Sequence, residues 1–558
     1  MNVTRLGQTS IWLLLAFALV LLRLGYITLW QNEASAAMAQ NQRLSTIDEI
    51  EYRRGDFLDR HGQPLTNRSE NVLLVWPDVL RRASGTDDSI LAPRLQALLR
   101  QHGLQSALTG SIRRSLAARQ PFILARGLLP GQMTSLQKEL ADTDGIYALT
   151  LRPRYTTDTP AVHLLGYAAA DSHGEYHGQT GLEKQYDSVL SGRTSARIAL
   201  PLDERGQATG TLRYIPADSA SQSLNIRLTI DQSYQAICEE ALGQRPGAVV
   251  LLDSQNGDVL AMASAPTYDP YAGQPPTDGD IYLNKALSYF PPASVFKTVL
   301  TLAALDNGIT LDDRPEAFTC TGSITLPGGH SVNCWKNSGH GSEDLCSALG
   351  NSCNPYFVAL GQQLGGELIT EYAYRLGFGE QILQGIDTAT QPNPDFNTAV
   401  PADVANISIG ERGVRATPLM LARLMATIAN GGKMPTPRLV SALQTEQGAI
   451  IQEFPTAAPR QVVKTSSANQ LRRFLTEAVQ NGTGRPVASS LINIGGKTGT
   501  SQNFGVWFAG FFPADAPRWA IAVYIADGES GGGDAGSVCR EIAEKIALLE
   551  DIANRSAV

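Results

Sequence analysis

The sequence predicts a mixed α/β protein in which an antiparallel sheet carries packed helices, preceded by a separate α/β region and one apolar segment long enough to cross a membrane. Three observations predict this. A hairpin signal opens the C-terminal part, a Gly-rich strand followed by two apolar runs closes it, and the 305–488 stretch between them is rich in helical patterns. With 558 residues, 43% of them hydrophobic, there is room for about three or four ordinary domains with real cores. A formal net charge of −8 argues against nucleic acid as the main partner, and six cysteines in so long a chain do not make a disulfide scaffold.

The first element is the apolar run 11–30, interrupted by Arg23 and a few small or polar residues. Its length suffices for about 30 Å of hydrocarbon, and Tyr26 and Trp30 suit the interface. It reads as a transmembrane anchor over 10–30, leaving a cytoplasmic tail, 1–9, that carries Arg5. A cleaved signal peptide competes, since 11–22 has h-region length and Ala34-Ser35-Ala36 resembles a cleavage site. Either way the bulk of the chain is exported. The next region, 31–223, is charged and turn-rich, with an alternating piece at 71–76 and a helical one at 91–99. His163, His173 and His177, with glycines between them, read as a loop rather than a metal site. At 224 the pattern changes to a strand over 224–230 and a helix around 234–242. Apolar runs 248–252 and 259–263 then flank Asn256-Gly257, a strong short-range hairpin signal. The second domain is therefore 224–558.

Within it, Pro291-Pro292-Ala293-Ser294-Val295-Phe296-Lys297 opens a helix whose apolar stripe is Phe296, Val299, Leu300, Ala303 and Ala304, ending at Gly308. Ser294 and Lys297, three apart, share a face off that stripe. A serine hydroxyl needs a base, and a lysine serves only if burial or a second cation brings its pKa from about 10.4 to near 7. A second lysine is present in Gly495-Gly496-Lys497-Thr498-Gly499-Thr500, which starts an antiparallel edge followed by apolar runs 506–512 and 519–525. Ser352-Cys353-Asn354 falls on a turn between two helices. The Gly528-Glu529-Ser530-Gly531-Gly532 match to a nucleophile elbow fails on chain order, because the last histidine is His340; its glycines read as a flexible loop. No H-E-x-x-H pair supports a zinc peptidase.

The order S-x-x-K, S-x-N, K-T-G resembles the penicillin-recognising serine acyltransferases, and more narrowly the class B penicillin-binding proteins. Arg53-Arg54-Gly55-Asp56, Gly181-Leu182-Glu183, Gly247-Ala248-Val249-Val250, Cys334-Trp335, Gly339-His340-Gly341, Thr417-Pro418 and Trp507-Phe508-Ala509-Gly510 are also similar to that family. The resemblance implies a β-lactamase-like transpeptidase fold over 224–558 and an elongated pedestal, of dimerisation type, over 31–223. It implies a peptidoglycan D,D-transpeptidase, the target of β-lactams, with no cofactor and no metal in the catalytic set. Ser294 would attack the penultimate D-Ala carbonyl and Lys297 would take its proton. Ser352 and Asn354 would relay a proton and hold the substrate amide, and Lys497 with Thr498 and Thr500 would bind the terminal carboxylate, Gly499 being part of the same substrate-binding stretch. The backbone N–H groups of Ser294 and Thr500 would form the oxyanion hole. It further implies a SEDS-type membrane glycosyltransferase as partner. A β-lactamase or β-lactam sensor using the same serine, or an idle wall-synthesis scaffold, are the alternatives.

Two departures from the family pattern stand out. Gly410-Glu411-Arg412-Gly413 replaces the usual Gly-Gln-Gly, which places two charges there, and Ala293 replaces a usual glycine, suggesting a backbone without positive φ. The 320–353 segment holds four of the cysteines. A Cys320–Cys334 disulfide, a zinc site using both with one histidine, or free thiols are all open, with Cys346 and Cys353 expected as free buried thiols.

Overall fold

In this computed structural model the described residues are 44–52, 54–104, 109–170, 176–191, 195–202, 212–215, 223–270, 279–311, 318–380, 398–501 and 503–556, with 12, 15–21, 23, 382, 383 and 396. The expected anchor lies largely outside them. Its described positions are helical, and among the described residues no helix is long and apolar enough to cross a membrane. His173 also falls outside.

Two compact units form, one from 1–53, 67–157 and 193–221, the other from 54–66, 158–192 and 222–558. In the first, strand Glu70–Val75 pairs antiparallel with Phe122–Ala125 and Ile146–Leu151. Side-chain alternation sends Leu73 and Val75 into a core with Leu91, Leu95 and Leu99 from helix Asp88–Gln101, and Val72 and Leu74 into a second one with Trp76. The alternating and helical pieces expected at 71–76 and 91–99 are both present.

The second unit is built on a five-stranded antiparallel sheet of β1 (Gly247–Asp253), β2 (Val259–Ala265), β3 (Gly495–Ser501), β4 (Gly505–Phe512) and β5 (Trp519–Ile525), in the order β2-β1-β5-β4-β3. The hairpin read from Asn256-Gly257 is β1–β2, and β3 is an edge strand. Around the sheet pack α1 (Gln232–Leu242), α2 (Lys297–Asn307), α3 (Asn354–Leu364), α4 (Pro418–Ala429) and α5 (Gly536–Ser556). β1, β2, β4 and β5 are largely apolar runs because both faces are covered, whereas the edge strand β3 is glycine-rich and polar. Val249, Leu251, Ile521 and Val523 point to one core with Cys238 of α1 and Ile542 of α5, while Val250, Leu252, Ala520 and Ala522 point to another with Val299 of α2 and Leu421 of α4.

The expected division at 223/224 is crossed by two earlier segments, 54–66 and 158–192, that belong to the second unit. Phe57–Leu58 pairs parallel with Ile226 and Arg227. The Arg54 guanidinium, 4% exposed, donates to Glu183 Oε2 at 2.6 Å, to the Glu183 carbonyl at 3.0 Å and to Asp187 Oδ1 at 2.6 Å. Phe57, Leu65, Leu164, Leu165 and Leu182 then join the main core. His163 Nε2–H donates to the Ile281 carbonyl at 2.8 Å, whereas His177 faces Asp187, so each has its own structural partner.

Candidate active site

The nucleophile candidate stands on a 3₁₀ turn, Ala293–Phe296, that leads into α2. The α-helix expected from Pro291 begins at Lys297 and ends, as read, at Gly308 in the left-handed conformation. The reason lies in Ala293, whose φ is +48°. The expectation that alanine there spares the backbone a positive φ is thus overturned: the turn demands the left-handed conformation and the alanine adopts it. Gly410 presses on the same point, since a Cβ there would come within 1.9 Å of the Ala293 carbonyl oxygen. Val295 and Phe296 anchor the turn in the core, which leaves Ser294 half-buried. The indole N–H of Trp507 on β4 donates to the Pro291 carbonyl at 2.9 Å and ties the turn to the sheet.

Ser352 lies, as read, between two helices, Leu345–Gly350 and α3, and has φ +55°. Lys297, wholly buried, donates to the Ser352 carbonyl at 2.8 Å and to Asn354 Oδ1 at 2.7 Å, and its Nζ is 3.4 Å from Ser352 Oγ. From the opposite side Lys497 of β3, 1% exposed, donates to Ser352 Oγ at 3.0 Å and to the Thr498 carbonyl at 2.9 Å. One hydroxyl therefore receives both amines. Burial brings Lys297 down to about 7, against the opposing pull of the Cys353 and Cys334 thiols. At about 1.4 kcal/mol per pKa unit, that is about 5 kcal/mol held against the ammonium. Burial lowers Lys497 as well, and the Lys297 charge lowers it further.

The rest of the K-T-G strand lines the same place. Thr498 Oγ1 is bonded to Thr483 Oγ1 at 2.8 Å, and Thr500 is exposed, its Oγ1 accepting from the Gly531 N–H at 3.3 Å. A Cβ on Gly499 would lie 2.9 Å from the Pro292 carbonyl oxygen, so only glycine lets the strand pass this close to the serine turn. Thr483 and Gly531 were not anticipated. The 528–533 loop, expected to be flexible, forms a helical turn over Gly531–Ala535 with Ser530 Oγ accepting from the Gly533 N–H at 3.1 Å. Its glycines serve packing, since a Cβ on Gly531 would fall 2.5 Å from the Gly499 carbonyl oxygen.

Beneath the second motif, Cys320, Cys334, His340 and Cys353 bring their ligand atoms within 4.8 Å of one another. All six cysteines are free, so the Cys320–Cys334 disulfide is not formed. Cys353 is free and buried, as expected, and is also part of the cluster, while Cys346, free too, stands apart from it and is only half-buried. The contact between the two thiols lowers Cys334 and raises Cys353. His340 Nδ1 lies 3.5 Å from Cys334 Sγ, and its Nε2 is buried without a partner among the described residues. Three sulfurs and an imidazole at such separations suit a tetrahedral zinc ion, which sets its ligand atoms about 3.5–4 Å apart. The cluster's strands are further tied to the motif by Trp335 Nε1 donating to the Asn351 carbonyl at 2.8 Å and Asn354 Nδ2 to the Asn333 carbonyl at 3.1 Å.

Comparison with known proteins adds to this geometry. Residues 247–547 match the family model described as the penicillin-binding protein transpeptidase domain, and 49–222 match the penicillin-binding protein dimerisation domain. Stage V sporulation protein D of Bacillus subtilis is 28% identical over 92% of this chain and 79% of its own. The peptidoglycan D,D-transpeptidase MrdA of Salmonella typhimurium is 25% identical over 88% of each. Among solved structures, the D,D-transpeptidase domain of a peptidoglycan glycosyltransferase from Eggerthella lenta superposes with a TM-score of 0.59 at 27% identity, covering 73% of this chain and 94% of that one.

Proposed function

Because the chain belongs to the penicillin-binding protein transpeptidase family, with a class B arrangement of dimerisation and transpeptidase domains, we propose that its D,D-transpeptidase chemistry runs on Ser294, Lys297, Ser352, Asn354 and Lys497. The enzyme cross-links peptidoglycan stem peptides through a serine acyl-enzyme and is bound by β-lactams at the same group. The observation that carries the residue assignment is the Ser352 hydroxyl with an amine on each side. It joins all three motifs in one hydrogen-bonded set.

Lys297, held near pKa 7 by burial, takes the Ser294 proton as Oγ attacks the penultimate D-Ala carbonyl. The backbone N–H groups of Ser294 and Thr500 receive the oxyanion. Ser352 passes a proton to the departing D-Ala amine, and Asn354 holds the substrate amide. Lys497 contributes through Ser352 rather than by touching the substrate carboxylate, since its Nζ is enclosed by Ser352 and Thr498. The carboxylate is left to the exposed Thr500, with Thr498 and Gly499 shaping the strand beneath it. A zinc ion on Cys320, Cys334, His340 and Cys353 would hold the Ser352 turn against the neighbouring strands.

Anchoring through 11–30, with the bulk of the chain outside the cytoplasm and a SEDS-type glycosyltransferase beside it, completes the reading. It is supported by the apolar composition of that segment and by the family. Ser294→Ala tests the core of the proposal: labelling by a fluorescent penicillin and cross-linking are both lost while thermal unfolding is unchanged. Labelling that persists sinks the assignment, and rapid turnover of label by the unaltered protein points to a β-lactamase instead.

A further inference from the structure

Glu411 is a half-buried acidic group, given no role in acylation above, that lies between the serine turn and the end of β3. Its chain position is set by Gly410, packed on the Ala293 carbonyl, and by the paired bonds of the 290 and 416 backbones, Phe290 N–H to Ala416 O and Ala416 N–H to Phe290 O, each 2.9 Å. Its backbone N–H donates to the Asn406 carbonyl at 3.0 Å. The carboxylate accepts from Ser501, the residue after Thr500 on β3. It is thus held between the two elements that carry the oxyanion donors, the serine turn on one side and the end of β3 on the other.

Charge decides what such a group can read. The donor stem peptide ends in a carboxylate, which a neighbouring carboxylate repels. The acceptor of a transpeptidation arrives as an ammonium, and of the two substrates it alone carries a cation to the acyl carbon. Resting on the transpeptidase reading above, we propose that Glu411 receives the acceptor ammonium and positions it against the Ser294 ester. The ammonium passes one proton to the Glu411 carboxylate, and the freed nitrogen attacks the acyl carbon. As the C–N bond forms and the C–Oγ bond breaks, the second proton travels through Lys297 to Ser294 Oγ. Partial burial favours this transfer, because it disfavours the charged form of both partners. Arg415, whose guanidinium lies 5.6 Å from the centre of the Phe504 ring, counters that burial and keeps the carboxylate available before the acceptor binds.

The experiment uses the full-length chain in detergent, a small thioester donor, and free D-alanine or diaminopimelic acid as the amine. Aminolysis and hydrolysis products are measured together against amine concentration, and fluorescent penicillin reports whether Ser294 is acylated in the same preparation. In Glu411→Gln the amine concentration for half-maximal aminolysis rises about 10-fold or more, as expected for losing a charged hydrogen bond, and the product ratio moves toward hydrolysis. Glu411→Asp, which keeps the charge, recovers part of that loss. An unchanged ratio in a Gln variant that still labels overturns the inference. So does an Asp variant as impaired as the Gln one, which would mean that only shape mattered. Failure of the unaltered protein to label at Ser294 would instead overturn the transpeptidase assignment on which the inference stands.

Discussion

At the scale of single residues, the site works by denying two lysines water. In the proposed mechanism Lys297, brought to about 7 because burial opposes its charge, is the base, so the rate of penicillin acylation is expected to rise with pH through about 7 and level off above it. A rate that climbs only towards pH 10 would show that the amine is hydrated. Stability follows the same sign. The unfolded chain holds the Lys297 proton up to about 10.4 and the folded chain releases it near 7, so this residue's contribution improves as pH rises between those values. Ala293 makes a second residue-scale case. Its left-handed φ of +48° costs about 1–2 kcal/mol, and glycine returns about 0.5–1 kcal/mol of that as chain entropy. Ala293→Gly should therefore stabilise by about 0.5–1 kcal/mol in urea unfolding; a loss of stability would mean that the buried methyl outweighs the strain. The three motifs could be picked out in the sequence because their spacing is local, and the structure brings Lys297, Ser352, Asn354 and Lys497 together. The φ of Ala293 was not, because the close approach of Gly410, 117 positions away in the chain, imposes it.

At the scale of elements, the hairpin, the edge strand and the turn between helices could all be read, since each is announced by its own periodicity or turn residues. Cys353 could not be placed, because its neighbours come from strands Phe318–Cys320 and Gly341–Glu343 and the loop between them, whose convergence has no local signature. The Gly528–Gly533 loop failed for a related reason: glycine marks both freedom and close packing, and only the facing strand distinguishes them. The cysteine cluster carries an element-scale expectation. Purified protein should contain about one zinc per chain, and chelation should slow penicillin acylation about 10- to 100-fold without abolishing it, as when a support of a working site is lost. Metal-free protein of full acylation rate would assign the cluster to packing alone.

For the whole molecule, the sequence pointed to one division near residue 223, whereas 54–66 and 158–192 return to fold with the second unit. Nothing in a linear pattern reports that Arg54 will be paired with Glu183 and Asp187, at separations of 129 and 133 residues. Arg54→Ala leaves Glu183, fully buried, without its main cation, and a broken buried pair costs about 3–5 kcal/mol. The midpoint of thermal unfolding should fall by several degrees, and limited proteolysis should cut first near 180–190. An unchanged midpoint would show that the segment is a passenger rather than a part of the catalytic unit.

The edge position of β3 has a further bearing on drug resistance. An extended ligand laid beside Gly495–Ser501 is gripped by main-chain donors and acceptors. A codon change can alter a side chain, but it cannot remove a peptide N–H except by installing proline, which this strand could not accept and still serve its own substrate. Resistant variants should therefore map to the surrounding walls, such as the 410–415 and 528–533 segments, and leave the strand itself intact.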